Sequence, residues 1–91
     1  MDGKTNFNPG IFSASGLGEA FRANRRALRK TQKAIALQVG CRRQTIGDIE
    51  AGKNVEIYTL MAALSALGKG LLIVDPRIDY DRISEMFDDG Q

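Results

Sequence analysis

Histidine is absent from this 91-residue sequence, and cysteine occurs once, as Cys41. Without an imidazole or a second thiol the chain lacks the usual ligands of a zinc site and the commonest general base, so a non-enzymatic protein without a cofactor is expected. A lone thiol forbids an intrachain disulfide, which fits a reducing compartment, and Cys41 reads as a small core filler rather than a redox sensor. No apolar run approaches the length that crosses a bilayer, and Met1-Asp2-Gly3-Lys4 does not begin a secretion leader. The expectation is a cytoplasmic protein with no membrane partner. Gly16-Leu17-Gly18 follows no strand and lacks the lysine of a phosphate loop, so it is assigned to the start of a helix.

The formal charge of +2 says little, but its distribution is uneven. Arg22, Arg25, Arg26, Arg29, Lys30, Lys33, Arg42 and Arg43 follow one another with no acidic residue between them. From Asp75 onward the balance reverses, with Asp79, Asp81, Glu85, Asp88 and Asp89 against Arg77 and Arg82. A hydrophobic content of 43% supports one domain with a thin core, which a second copy of the chain would help to stabilise.

The order of elements follows from periodicity and stop signals. Residues 1–14 mix Gly, Asn, Pro and Ser with Phe7, Ile11 and Phe12 and read as an irregular arm whose tip docks on the domain. Ser15 is the expected cap of a first helix over about 16–29, in which Leu17, Ala20, Phe21, Asn24, Ala27 and Leu28 recur at helical spacing and the arginines occupy the wet face. Thr31 caps a second, short helix with Ile35, Ala36 and Val39 inward and Gly40 as its left-handed stop. A third begins near Arg42, turns Ile46 and Ile49 inward and stops at Gly52. Ile57, Leu60, Met61, Leu64 and Leu67 mark a fourth over 56–67, ended by Gly68. Leu71-Leu72-Ile73-Val74 is too short for a helix and reads as a strand ended by Asp75-Pro76. A lone apolar strand leaves its backbone groups open, so the expectation is that it pairs with its own copy in a homodimer. The sequence thus predicts an all-α fold, a small bundle of four to five helices over 15–75, with a dimerisation strand at 71–75 and an acidic tail over 76–91 that is either mobile or helical for a turn or two at 80–87.

Two helices joined by a tight glycine turn, the second preceded by Arg and Gln, meet the geometric needs of a helix that enters the major groove of DNA. Ile46 and Ile49 hold its inner side, so Arg42, Arg43, Gln44, Gly47 and Asp48 are the candidate base-reading positions. Arg can donate two hydrogen bonds to guanine, Gln can pair with adenine, and Asp can accept from cytosine. Gly47 fits a close approach to a base and equally a weak spot tolerated by packing.

Thr31-Gln32, Ala36, Gly40, Thr45-Ile46, Ile49-Glu50 and Gly52-Lys53 together resemble the Cro/C1-type (XRE-like) helix-turn-helix family over about residues 17–68. The resemblance implies that Gln32, Lys53 and Asn54, with Lys33 and Thr45 beside them, hold phosphates, and that Glu50 makes an internal hydrogen bond. Arg42 stands where the family places a Ser or Thr cap. The lead-in 12–17 and the segment 71–75 are similar to HipB-type antitoxins, which are dimers that repress their own operon and bind a HipA-type Ser/Thr kinase toxin. What this implies is a repressor that binds operator DNA and such a toxin. A stand-alone regulator without a toxin, and an interaction module whose DNA binding is secondary, are the competing readings.

Overall fold

The computed structural model describes residues 10–76. The arm up to residue 9, and the acidic tail from 77 with its proposed helical turns at 80–87, lie outside the described residues. Four helices are formed among the described residues, α1 Ala14–Ala27, α2 Gln32–Val39, α3 Arg43–Glu50 and α4 Ile57–Ala66.

The helix starts are set by side-chain caps in two cases out of four. Thr31 accepts from the Ala34 amide at 3.0 Å, as its sequence context predicts. For α1 the cap is Ser13, not the expected Ser15, because Ser13 has the extended backbone of a cap (φ −150, ψ 156) and its Oγ accepts from the Gly16 amide. Ser15 lies inside the first turn. Gly40 ends α2 with φ 84, and its amide donates to Ala36 at 2.8 Å. That left-handed residue turns the chain into α3 within Gly40–Arg42, a reversal that costs an L side chain about 1 kcal/mol or more. α1 stops two residues earlier than expected, since Arg29 itself adopts φ 59 and closes the helix where a glycine would be easier.

α2 lies between α3 and α4, and α1 packs across α3. Their shared core is Phe21, Ile35, Ala36, Ile46, Ile49, Ala63, Leu64 and Leu67, with Val39, Cys41, Val55, Leu60 and Ala66 packed against it. Cys41 thus fills the turn, as its size predicts. α1 meets α3 very closely: a Cβ on Gly18 would stand 2.5 Å from the carbonyl oxygens of both Ile49 and Glu50. Only glycine permits this approach, and it fixes where the end of α3 lies.

Two parts of the predicted apolar pattern face water instead. On α1, Ala27 and Leu28 are exposed, and the inward position of the last turn is taken by Arg25, which is buried rather than on the wet face. On α4, Ile57 and Met61 are exposed while Leu60, Ala63, Leu64 and Leu67 pack inward, because the helix packs mainly against α2 and its apolar stripe is broader than that contact. Residues 71–76 carry no regular structure in the single chain, and Ile73 is 98% exposed. A strand that pairs only with a second copy has no ladder to form here. A Cβ on Gly10 would meet the Val74 side chain at 3.0 Å, so the end of the arm lies beside this segment.

Candidate nucleic-acid interface

α3 owes its placement to three buried anchors along one side and at its end. Ile46 and Ile49 are almost wholly buried, three residues apart, and so fix the roll of the helix about its axis. Glu50 fixes its end. Arg25 donates from Nε and Nη2 to the two Glu50 oxygens, the second at 3.0 Å, and from Nη1 to the Lys30 carbonyl at 2.8 Å. Gln32 Nε2 donates to Glu50 Oε1 at 3.0 Å. The side chains of this pair are 11% and 5% exposed for Arg25 and Glu50, so it is a shielded network rather than a surface ion pair. Burial pushes the Glu50 carboxyl up, but hydrogen bonds from Arg25 and Gln32 and the charges of Arg25 and Arg22 outweigh it and hold the group below its ordinary value of 4.5. Hydrogen bonding to Glu50 raises Arg25 further above its ordinary range, against the opposing effect of burial.

The internal hydrogen bond expected of Glu50 is therefore present, with a partner the sequence reading missed. Arg25 falls four residues after the buried Phe21 and seven after Gly18, which meets α3, so its helical register was the available signal. The basic character of its neighbours concealed it.

With its inner side and far end held, α3 leaves its near end free. Arg42, Arg43 and Gln44 are all exposed. Arg42 occupies the cap position with no side-chain hydrogen bond to the helix, the physical result of an Arg where a Ser or Thr would close the first turn. Gln44 Nε2 donates to Asp48 Oδ1 at 2.9 Å along the same face. Gly47 and Asp48 are half-buried. A Cβ on Gly47 would lie 3.9 Å from both terminal atoms of Gln32, so the start of α2 crosses the middle of α3 at this point.

The residues expected to hold phosphates occupy two flanks. Gln32 and the exposed Lys33 lie in the first turn of α2; Lys53 and Asn54 are exposed in the loop after α3, where the Lys53 amide donates to the Asp48 carbonyl at 2.9 Å. Thr45, Asp48 and Asn54 come together with Val55, Glu56 and Thr59 around an open cleft between α3 and the start of α4. Glu56 and Thr59, which the sequence reading did not single out, line this cleft as well. The remaining group, Leu71, Leu72, Ile73 and Val74, stands near the end of the described chain, with all four side chains exposed. Among the described residues no group of three His, Cys, Asp or Glu is placed to hold a metal ion, and no helix is long and apolar enough to cross a membrane.

A helix-turn-helix family profile matches residues 21–74, which span α1 from Phe21 through all of α2, α3 and α4. No curated protein sequence matches the chain. Among solved structures, the chain is similar to HipB in its O4 20mer complex, at 26% identity over 76% of this chain and 97% of that one, with a TM-score of 0.69. The same identity, coverage and TM-score relate it to a chain of the HipA-HipB-O2-O3 complex. It also shares its fold with ClgR, the clp gene regulator of C. glutamicum, at 24% identity over 71% of this chain and 85% of that one, with a TM-score of 0.60.

Proposed function

The chain belongs to the helix-turn-helix family, and from that premise we propose that it is a cytoplasmic, homodimeric, sequence-specific repressor that autoregulates its own operon and serves as the HipB-like antitoxin of a HipA-type Ser/Thr kinase toxin. The observation that carries the DNA-binding part is the pairing of a locked and an open end in α3: Glu50 is held by Arg25 and Gln32, while Arg43 and Gln44 are exposed on the same helix. Held in this way, Arg43 and Gln44 read base edges and Arg42, Gly47 and Asp48 shape the surface beside them, as Gln32, Lys33, Thr45, Lys53 and Asn54 fix the register against phosphates. No catalytic role is assigned to any residue.

Dimerisation is supported by the consecutive exposure of Leu71, Leu72, Ile73 and Val74, at 52%, 85%, 98% and 43%. Pairing these segments across a two-fold axis would cover apolar surface and satisfy open backbone groups together. Two copies so joined present their third helices roughly 34 Å apart, one turn of DNA, to a palindromic site. The antitoxin part rests on likeness to HipB, which is found with HipA in the HipA-HipB-O2-O3 complex.

The test is an anisotropy titration of the full chain against duplex DNA from upstream of its own gene, at several salt concentrations. With about six phosphates neutralised per dimer, binding weakens roughly a thousandfold between about 50 and 200 mM salt. A flat salt response removes the DNA-binding proposal. Co-purification with the product of an adjoining kinase-like gene tests the antitoxin part, and failure to co-purify leaves a stand-alone regulator.

A further inference from the structure

Gln44 and Asp48 stand one helical turn apart on the free side of α3, and the amide Nε2 of the first donates to Oδ1 of the second at 2.9 Å. An ionised carboxylate offers acceptors only, so it is the nitrogen of the Gln44 amide, never the oxygen, that turns toward Asp48. The chemistry of the pair fixes the amide's orientation. Among the described residues Gln44 is the only side chain that donates to Asp48, and Asp48 is half-buried where Gln44 is exposed, so the fixed member is Asp48 and the oriented one Gln44.

A free carboxamide has two N–H donors and a carbonyl acceptor. With one hydrogen committed to Asp48, Gln44 keeps one donor and the whole acceptor. In the major groove guanine presents two acceptors, N7 and O6; adenine presents the N6 donor beside the N7 acceptor; cytosine presents the N4 donor. Pairing with guanine through two bonds would need the hydrogen that Asp48 already holds, so guanine, cytosine and thymine are each left with one bond, whereas adenine takes two from the donor and acceptor that remain.

We propose that Asp48 is a positioning residue for base reading: by holding one amide hydrogen of Gln44 it converts that side chain into a reader of adenine, the base that can use its remaining donor and its acceptor together. The inference rests on α3 reading bases as proposed above. It also accounts for a carboxylate on a face meant for a polyanion. Asp48 repels phosphates of every sequence alike, and what it returns is discrimination at one base pair.

Selection from random duplexes with the full chain locates the base pair whose identity Gln44→Ala no longer distinguishes. Four duplexes differing only there, and one random duplex, are then titrated with wild type, Asp48→Asn and Asp48→Glu, after thermal melts establish that each is folded. The wild type is expected to favour adenine over guanine by about tenfold, the scale of one well-made base contact. Asp48→Asn, whose side chain can donate as well as accept, lets the amide turn over: the preference falls below about threefold while binding to the random duplex tightens, since a negative charge has gone. Asp48→Glu keeps an acceptor-only group and retains the wild-type order. The proposal is overturned if Asp48→Asn keeps the full preference, if the wild type favours guanine at that position, or if Gln44→Ala alters no base preference at all. A wild type that fails to separate selected from random duplex defeats the base-reading proposal itself, a different and separately visible result.

Discussion

At its C-terminal end α3 runs into the protein, where Ile49 is buried, Glu50 is bonded to Arg25 and Gln32, and the last carbonyls touch α1 at Gly18. At its N-terminal end, about 10 Å away along the axis, Arg42, Arg43 and Gln44 are exposed and the first turn has no side-chain cap. One end is specified by packing and the other is left to be specified by something outside the chain. A helix that must present side chains in a fixed geometry needs both, because the free end inherits its position from the held one.

The comparison breaks most visibly at the held end. Arg25→Ala would leave the Glu50 carboxylate shielded and deprived of its main partner, and a loss of about 3–5 kcal/mol in unfolding free energy is expected by chemical denaturation. The same network gives a pH signature. Glu50 titrates lower in the folded protein than its ordinary 4.5, so its contribution is complete above that value and is lost as pH falls through the folded-state value, the unfolded chain taking up the proton first. In Glu50→Gln that part of the acid dependence disappears, and thermal melts between about pH 3 and pH 6 read it. Gly18→Ala comes next: its methyl group would press on two backbone carbonyls that cannot rotate away, costing about 1–3 kcal/mol and displacing the end of α3. If Gly18→Ala melts like the wild type, the close crossing is not what sets the helix.

At the free end the effects move from stability to binding. Arg43→Ala is expected to lower affinity for the selected duplex by about 1–3 kcal/mol and to relax preference at one base pair, with unfolding changed by less than about 0.5 kcal/mol. Equal losses on selected and random DNA would place Arg43 among the phosphate contacts. The smallest effect has the opposite sign. Arg42→Ser supplies the missing cap and should stabilise the fold by about 0.5–1 kcal/mol, a rise of roughly 2–6 °C in Tm, so the free end is shown to be stabilisable where the held end is only breakable.

Much of this was legible in the residues. Thr31 and Gly40 bound α2 because caps and left-handed stops are local chemistry, and Ile46 and Ile49 announce the buried side of α3 by spacing alone. Three things were not. The cap of α1 had two serine candidates two residues apart, and only backbone conformation separates Ser13 from Ser15. The apolar stripe of α4 records every surface the helix covers, so it could not distinguish Leu64, packed within the chain, from Ile57, which is exposed. Arg25 was hidden because burial of a guanidinium depends on a carboxylate from another helix, a pairing that no local pattern encodes. For the interface, the exposure of Arg43 and Gln44 followed from helical register, whereas the bond from Gln44 to Asp48 is a choice among rotamers that the one-turn spacing allows without requiring.

A single guanidinium reaches three stretches of backbone: Arg25 belongs to α1, its Nη1 meets the Lys30 carbonyl in the turn before α2, and its other nitrogens close on the last residue of α3. α1 cannot swing open without releasing both the turn before α2 and the end of α3 from this guanidinium. Amide hydrogens of all three segments should therefore exchange with solvent through one shared opening event rather than fray in sequence, which makes this small motif a cooperative unit.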